Sequence, residues 1–259
     1  MPSIIPIPAF RDNYIWAICE GGYAAVVDPG DAAPVIAYLD RERLRLAAII
    51  ATHHHNDHVG GNLDLLARWA VPVFGPAHET IPGRTHALRE GERVDVPGVD
   101  VALDVLDIPG HTAGHIAYVA AHGIPPAVFC GDTLFAVGCG RLFEGTPAQM
   151  WTSLSKLAAL PADTRVFCGH EYTLANIRFA RSVEPDNRAL IARQSREEAK
   201  RGRGEPTLPS TIGDERATNP FLRAEAATVK SAAEAHARRR FDDPVATFAE
   251  LREWKNRFQ

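Results

Sequence analysis

Residues 52–61 read Thr52-His53-His54-His55-Asn56-Asp57-His58-Val59-Gly60-Gly61, and the reading of this run decides the fold. Four histidines and one aspartate fall within six positions. A solvated polar loop has no use for that density, and an expression tag would be terminal and would lack the embedded Asp57. The spacing His-x-His-x-Asp-His offers His53 and His55 as one alternating pair and the adjacent Asp57 and His58 as another, aimed at a different place. Two metal ions are therefore expected. Imidazole and carboxylate ligands suit zinc, iron or manganese, and the neutral ring that ligation needs is available near pH 7.

Outward from the run, residues 46–51 (Leu-Ala-Ala-Ile-Ile-Ala) have the pattern of a buried strand, so the ligands follow its C-terminal end. Three more places repeat that design. Residues 99–108 read as a strand entering Pro109-Gly110-His111-Thr112, residues 127–130 as a strand opening into Gly131-Asp132-Thr133, and residues 165–168 as a strand leading to Gly169-His170-Glu171. A glycine precedes each candidate, giving the backbone freedom to aim a side chain at a shared centre. Seven candidate ligands result: His53, His55 and His111 for one ion, Asp57, His58 and His170 for the other, with Asp132 able to bridge. His54 alternates away from the pair, and His78, His86, His122 and His236 lack a partner motif. Asp28, before Pro29-Gly30, and His115 are candidates for orienting the ligands.

Composition adds a division of the chain. Positions 1–173 hold 11 Lys/Arg and 19 Asp/Glu, whereas positions 174–259 hold 17 and 13, so a net of −8 gives way to +4. Ten of the eleven histidines lie in the first part. A boundary near Tyr172 is expected, followed by a more charged helical region broken by a linker at 202–209. The mild overall charge of −4 and the lack of an aromatic-interleaved basic stripe argue against a nucleic-acid surface. Cysteines 19, 130, 139 and 168 show no Cys-x-x-Cys spacing, which suits a reducing compartment. The opening Met-Pro-Ser-Ile-Ile-Pro-Ile-Pro is unlike a secretory signal, and no segment approaches the roughly 18 apolar residues of a membrane helix. A cytoplasmic, monomeric protein acting on a small molecule is expected.

Local patterns fill in the map. Residues 14–19 and 23–28 flank Glu20-Gly21-Gly22 as a hairpin. Leu63, Leu66 and Ala70 predict a helix packed on the sheet. Thr146-Pro147-Ala148-Gln149 has the form of a capping box, with Met150, Leu154 and Leu157 on one face until Pro161. Asp243-Pro244 starts a last helix on which Leu251, Trp254 and Phe258 share a face, while Arg252 and Lys255 form a cationic pair beside it.

His-x-His-x-Asp-His, Pro-Gly-His-Thr, Gly-Asp-Thr and Cys-Gly-His together resemble the metallo-β-lactamase fold. More closely, the chain is similar to the glyoxalase II (hydroxyacylglutathione hydrolase) family through residues 52–58, Gly131-Asp-Thr-Leu-Phe135, Gly138-Cys-Gly-Arg-Leu-Phe-Glu-Gly-Thr146 and Cys168-Gly-His-Glu-Tyr-Thr173, a likeness covering essentially the whole chain. It implies an α/β fold, an αββα sandwich of two mixed sheets with a C-terminal all-α domain. The dinuclear metal domain would occupy 1–172 and a helical glutathione-binding domain 173–259. The implied activity is hydrolysis of S-(2-hydroxyacyl)glutathione, such as S-lactoylglutathione, to glutathione and a 2-hydroxy acid, D-lactate, the second step of methylglyoxal detoxification. Two divalent ions, zinc first and iron or manganese as alternatives, would share a hydroxide by lowering the pKa of water to around 7. Asp57 and Asp132 would balance the charge and orient that nucleophile. Arg252 and Lys255 match the cations that bind the glycine carboxylate of glutathione, and Arg141, Phe143 and Tyr172 fall where other glutathione contacts lie. Phe143 departs from members that carry tyrosine there. A glutathione persulfide dioxygenase with one iron, or another hydrolase of this fold, is the rival. The long C-terminal helices and the Arg252/Lys255 pair favour the thioester hydrolase.

Overall fold

Trp16 and Ile18 leave their strand on one side and Ile15 and Ala17 on the other, and all four are buried. A strand buried on both faces has to lie inside a layered structure. The computed structural model, which describes residues 2–258, shows those layers. The first sheet runs in spatial order β1 (Ser3–Ala9), β2 (Asn13–Glu20), β3 (Tyr23–Val27), β4 (Arg45–Ile50), β5 (Val73–Pro76) and β6 (His86–Leu88). It is mixed: β1 to β3 pair antiparallel and β3 to β6 parallel. Pro6 and Pro8 are accommodated because β1 is an edge strand, where a missing N–H costs no ladder bond.

The second sheet is ordered β14 (Ser210–Thr211), β13 (Arg165–Cys168), β10 (Ala127–Gly131), β9 (Ile116–His122), β8 (Ala102–Asp107), β7 (Arg93–Asp95), with only β10 and β13 parallel. A small hairpin of β11 (Leu134–Phe135) and β12 (Gly138–Cys139) follows the C-terminal end of β10, after Asp132. Trp16, Ile18, Val27 and Ile50 of the first sheet meet Leu103, Tyr118, Phe129 and Phe167 of the second to form the main core. Trp16 Nε1 also donates to the Cys168 carbonyl at 2.9 Å, so one side chain both fills the interlayer space and pins the sheets in register. Truncating such a side chain costs about 3–5 kcal/mol.

Helices α1 (Ala32–Glu42) and α3 (Asn62–Arg68) cover the outer face of the first sheet through Val35, Leu39 and Leu65, which pack with Ile15, Ala17, Val26 and Ile49. Between β4 and α3 lies the short α2 (Asn56–Val59). The expected apolar face of Leu63, Leu66 and Ala70 is corrected here: Leu63 is 59 % exposed, Leu65 is buried, and Ala70 lies beyond the helix. The helix is only seven residues long and ends at Arg68; its buried face runs through Asn62, which donates to the Pro82 carbonyl, and Leu65, with Leu66 partly buried beside it. The helix α4 (Pro147–Ala158) begins with the capping box of Thr146 and Gln149 and buries Met150, Leu154 and Leu157, ending before Pro161.

The chain beyond Tyr172 is built from α5 (Thr173–Val183), α6 (Arg188–Gly202), α7 (Ile212–Thr218), α8 (Ala227–Ala237) and α9 (Pro244–Arg257). Residues 210–211 form the short β14, unforeseen in the sequence, which pairs with β13 and ties this helical segment to the second sheet. A buried Arg193–Glu215 ion pair at 2.6 Å fastens α6 to α7, and Glu215 also accepts from the Val137 N–H in the turn of the β11–β12 hairpin.

Candidate metal centre

The ends of β4, β8, β10 and β13, with the loops that follow them, converge on one place. His53 Nε2 lies 3.2 Å and His111 Nε2 3.0 Å from His55 Nδ1. On the other side, Asp57 Oδ2 lies 3.7 Å from His58 Nε2 and 3.4 Å from His170 Nε2. Asp132 stands between the two groups: Oδ1 is 3.3 Å from His58 Nε2, while Oδ2 is 3.5 Å from His111 Nε2 and 3.3 Å from His170 Nε2. All seven residues singled out in the sequence are brought together.

The outer hydrogen bonds decide which ring nitrogens are bare. His111 Nδ1 faces the Arg141 carbonyl at 2.9 Å, and a carbonyl only accepts, so Nδ1 carries the proton and Nε2 does not. His53 Nδ1 faces Thr52 Oγ1, whose own proton goes to Asp28, with the same result. His58 Nδ1 donates to Asp28 and His170 Nδ1 to Asp12. In the neutral rings it is therefore the four Nε2 lone pairs that point inward, and His58 Nε2 and Asp132 Oδ1 are buried without a hydrogen-bond partner. Buried polar atoms left in that state need a ligand. Separations of 3.0–3.7 Å are close to the edge, roughly 3.3 Å, of a tetrahedron whose ligands sit about 2 Å from a zinc-sized ion. The residues present fit two ions, His53/His55/His111 around one and Asp57/His58/His170 around the other.

Electrostatics agree. Burial and neighbouring rings depress the basicity of His53, burial first among the causes. For His170, burial pulls the same way, yet Asp132 and Asp57 outweigh it and push the pKa up to about 10. His58 is raised likewise, Asp132 and Asp28 overcoming its burial. A centre this rich in carboxylate demands positive charge, and metal ions meet that demand by displacing protons.

Two glycines make the approach possible. Gly131 sits at φ +46°, and a side chain there would strike Thr52 and His115. Gly169 has no such backbone demand, contrary to the expectation of a sharp turn. A Cβ there would lie 2.5 Å from His58 Cε1 and 2.7 Å from Asp132 Oδ1, so close packing of the ligands is what requires glycine.

Asp28 and His115 lie where orienting groups would. Asp28 accepts from the Thr52 N–H, the Thr52 hydroxyl and His58. His115, kept neutral by burial and the rings beside it, accepts the Asp132 N–H at 3.1 Å and stacks on His53. His54 is half exposed and pairs with Glu144, outside both ligand sets. Four residues escape a reading of the sequence: Asp12 on His170, Asn13 on Asp57, Glu79 on Thr112 and the Gly114 N–H, and Glu144 on the Ala113 N–H. Their partners lie 31 to 158 residues away, so spacing carried no signal.

The centre forms the floor of a cavity of about 720 Å³ whose walls include Arg141, Phe143, Tyr172, Arg252 and Lys255. Tyr172 stacks on His170 with ring centres 4.7 Å apart, and Phe143, 63 % exposed, stands edge-on to His55 and His111. Arg252 is buried more deeply than a solvated helix face allows: it donates to the Cys139 carbonyl at 2.8 Å and lies over Phe221. Lys255 Nζ reaches the Ala175 carbonyl at 3.3 Å. Burial and the nearby Arg252 and Arg178 lower its pKa to about 8.

An αββα sandwich with two ligand sets at the strand ends defines the metallo-β-lactamase superfamily, and residues 9–170 match the model of that superfamily. Residues 171–258 match the hydroxyacylglutathione hydrolase C-terminus. Hydroxyacylglutathione hydrolases from Cupriavidus taiwanensis and Alkalilimnicola ehrlichii are 58 % and 59 % identical, the alignments covering 100 % of both chains in the first case and 99 % of both in the second. This chain belongs to the hydroxyacylglutathione hydrolase family. In fold it is similar to ETHE1 from Myxococcus xanthus, with TM-score 0.65 and 22 % identity over 98 % of each chain. The B3 metallo-β-lactamase BLEG-1 is similar at TM-score 0.62 and 24 % identity over 86 % of this chain and 99 % of that one.

Proposed function

We propose that the protein is a metal-dependent thioester hydrolase that converts S-(2-hydroxyacyl)glutathione, such as S-lactoylglutathione, and water into glutathione and the 2-hydroxy acid, D-lactate for that substrate. The observation that carries the reading is the joining of two ligand sets by Asp132 at the floor of a cavity whose walls hold Arg252 and Lys255. The dinuclear domain spans residues 1–172 and the glutathione-binding domain 173–259. Membership of the hydroxyacylglutathione hydrolase family supports this reading.

His53, His55 and His111 would hold one ion and Asp57, His58 and His170 the other, with Asp132, in contact with both sets, able to serve each. Zinc is the first choice for both, with iron and manganese suited to the same donors. When bound, the ions supply Lewis acidity, lowering the pKa of a shared water to around 7 and stabilising charge on the thioester oxygen. Asp57 and Asp132 accept hydrogen bonds that orient the attacking water. Lys255 and Arg252 attract the glycine carboxylate of glutathione, while Arg141, Phe143 and Tyr172 flank its path to the floor. The departing thiol has a pKa near 8 to 9, so no strong general acid is needed. The site acts on a small molecule, in a cytoplasmic monomer. No helix among the described residues is long and apolar enough to cross a membrane. A one-iron dioxygenase would leave Asp57, His58 and His170 without employment, and here that set is complete.

Removal of metal tests the reading. Enzyme stripped by a chelator should release no thiol from S-lactoylglutathione, and activity should return on adding zinc, iron or manganese. Stripped enzyme, verified metal-free, that still turns over would overturn it.

Two further outcomes follow at the substrate wall. Phe143→Tyr adds a hydroxyl beside the ligands, so KM should fall by about fivefold, the value of one hydrogen bond of ~1 kcal/mol. An unchanged KM would remove Phe143 from the substrate path. For pH, Lys255 is charged below its pKa of about 8 and neutral above it, so KM should rise as pH passes upward through 8. The groups facing it are Arg252 on its own helix, Arg178 on α5, Arg141 and Cys139. Lys255→Arg, which cannot lose its charge in that range, should flatten the rise; an identical profile would refute the assignment.

A further inference from the structure

The outer contacts of the two ligand sets come from different parts of the fold. His53 is backed by Thr52, its neighbour after β4, and His111 by the Arg141 carbonyl, just past the β11–β12 hairpin. In the second set His58 is backed by Asp28, after β3, while His170 and Asp57 are backed from the end of the β1–β2 turn and the first residue of β2. Asp12 Oδ1 accepts from His170 Nδ1 at 2.9 Å, and Asn13 Nδ2 donates to Asp57 Oδ2 at 3.1 Å and to the Asp57 carbonyl at 3.3 Å. The backbone reinforces the arrangement, since the Glu171 N–H donates to the Asp12 carbonyl and the Tyr14 N–H to the Gly169 carbonyl, each at 2.8 Å. Two consecutive residues therefore grip two ligands that come from segments more than a hundred positions apart.

We propose that Asp12 and Asn13 are positioning residues for the second ion, a clamp that couples His170 and Asp57 and makes occupancy of that site separable from occupancy of the first. This rests on the reading of the seven residues as ligands to two ions. Asp12 fixes the proton of His170 on Nδ1 and hence keeps Nε2 available. Without it the ring can turn or take the other tautomer, and the ligand is lost although the residue remains. Asn13 fixes the carboxylate of Asp57, which lies on the four-residue α2 and is 44 % exposed at its side chain, too open to be held by packing alone. The first set needs neither residue. Phe10, at φ +49°, starts the turn in the left-handed region, a conformation that a phenylalanine rarely adopts and that other contacts must hold.

The test is zinc binding to the full chain, measured by competition with a chromophoric chelator, for wild type, Asp12→Ala, Asp12→Asn, Asn13→Ala and the neighbouring control Arg11→Ala. Wild type and Arg11→Ala should bind two ions. Asp12→Ala should retain the first within about twofold and bind the second roughly 10–100-fold more weakly. Asn13→Ala should weaken the second alone, by less. Asp12→Asn preserves an acceptor for the His170 proton, so it should recover much of the second affinity, which a purely structural loss would not. The first ion reports that each variant is folded. Two ions bound by Asp12→Ala with wild-type affinity, or both weakened equally, would overturn the clamp while leaving the metal reading intact. A wild type that binds no zinc would overturn the metal reading and the clamp with it.

Discussion

Asp132→Ala should lower kcat/KM for S-lactoylglutathione by on the order of 10³-fold or more, about 4 kcal/mol of transition-state stabilisation. Among the described residues Asp132 is the carboxylate in contact with both ligand sets, whereas Asp57 contacts only the second. It is 6 % exposed, and its backbone N–H is tied to His115, which fixes where its carboxylate stands. Burial alone would favour its protonated form, yet His58 and His170 hold it ionised well below the usual carboxylate range. On the proposed reading, its removal takes away the negative charge that stands between the two ligand sets. Metal content should fall together with activity. A variant that keeps two ions and activity within tenfold of wild type would show that Asp132 does not bridge.

Lys255→Ala should raise KM by about 10–100-fold with little change in kcat, because a charge-assisted hydrogen bond of ~1.5–3 kcal/mol is lost to a part of the substrate remote from the reacting carbon. Arg252→Ala should raise KM similarly and also destabilise the fold. The buried guanidinium holds the Cys139 carbonyl, and leaving that acceptor without a partner costs about 1–3 kcal/mol. The two substitutions should not add, since on the proposed reading both cations serve one carboxylate. Denaturant midpoints separate the effects: Lys255→Ala should be close to wild type and Arg252→Ala clearly lower. Unchanged KM in the double variant would sink the carboxylate assignment and leave the metal chemistry standing.

Six of the seven candidate ligands were legible in the sequence because each follows a strand whose pattern is local: β4, β10 and β13 are short apolar runs, and each run opens into its motif within three residues, while His111 follows the more mixed β8. Capping of α4 was legible for the same reason, Thr146 and Gln149 being one turn apart. Arg252 and Lys255 were legible as a pair. The depth of Arg252 was not, because its burial depends on Cys139, 113 residues earlier. The short strands β5, β6, β7 and β14, of two to four residues each, have too little sequence to show a period. The face of α3 differs from the apolar pattern because the helix ends at Arg68 and one of the residues it buries, Asn62, is polar. Asp12, Asn13 and Glu79 look like ordinary turn residues until the fold brings them to their distant partners.

Hydrolysis itself can be read from isotope transfer. Metal-loaded enzyme given S-lactoylglutathione in ¹⁸O-water should yield glutathione thiol and lactate in equal amounts, with one ¹⁸O in the lactate carboxylate. Absence of thiol, or lactate without the label, would contradict attack of water on the thioester carbonyl.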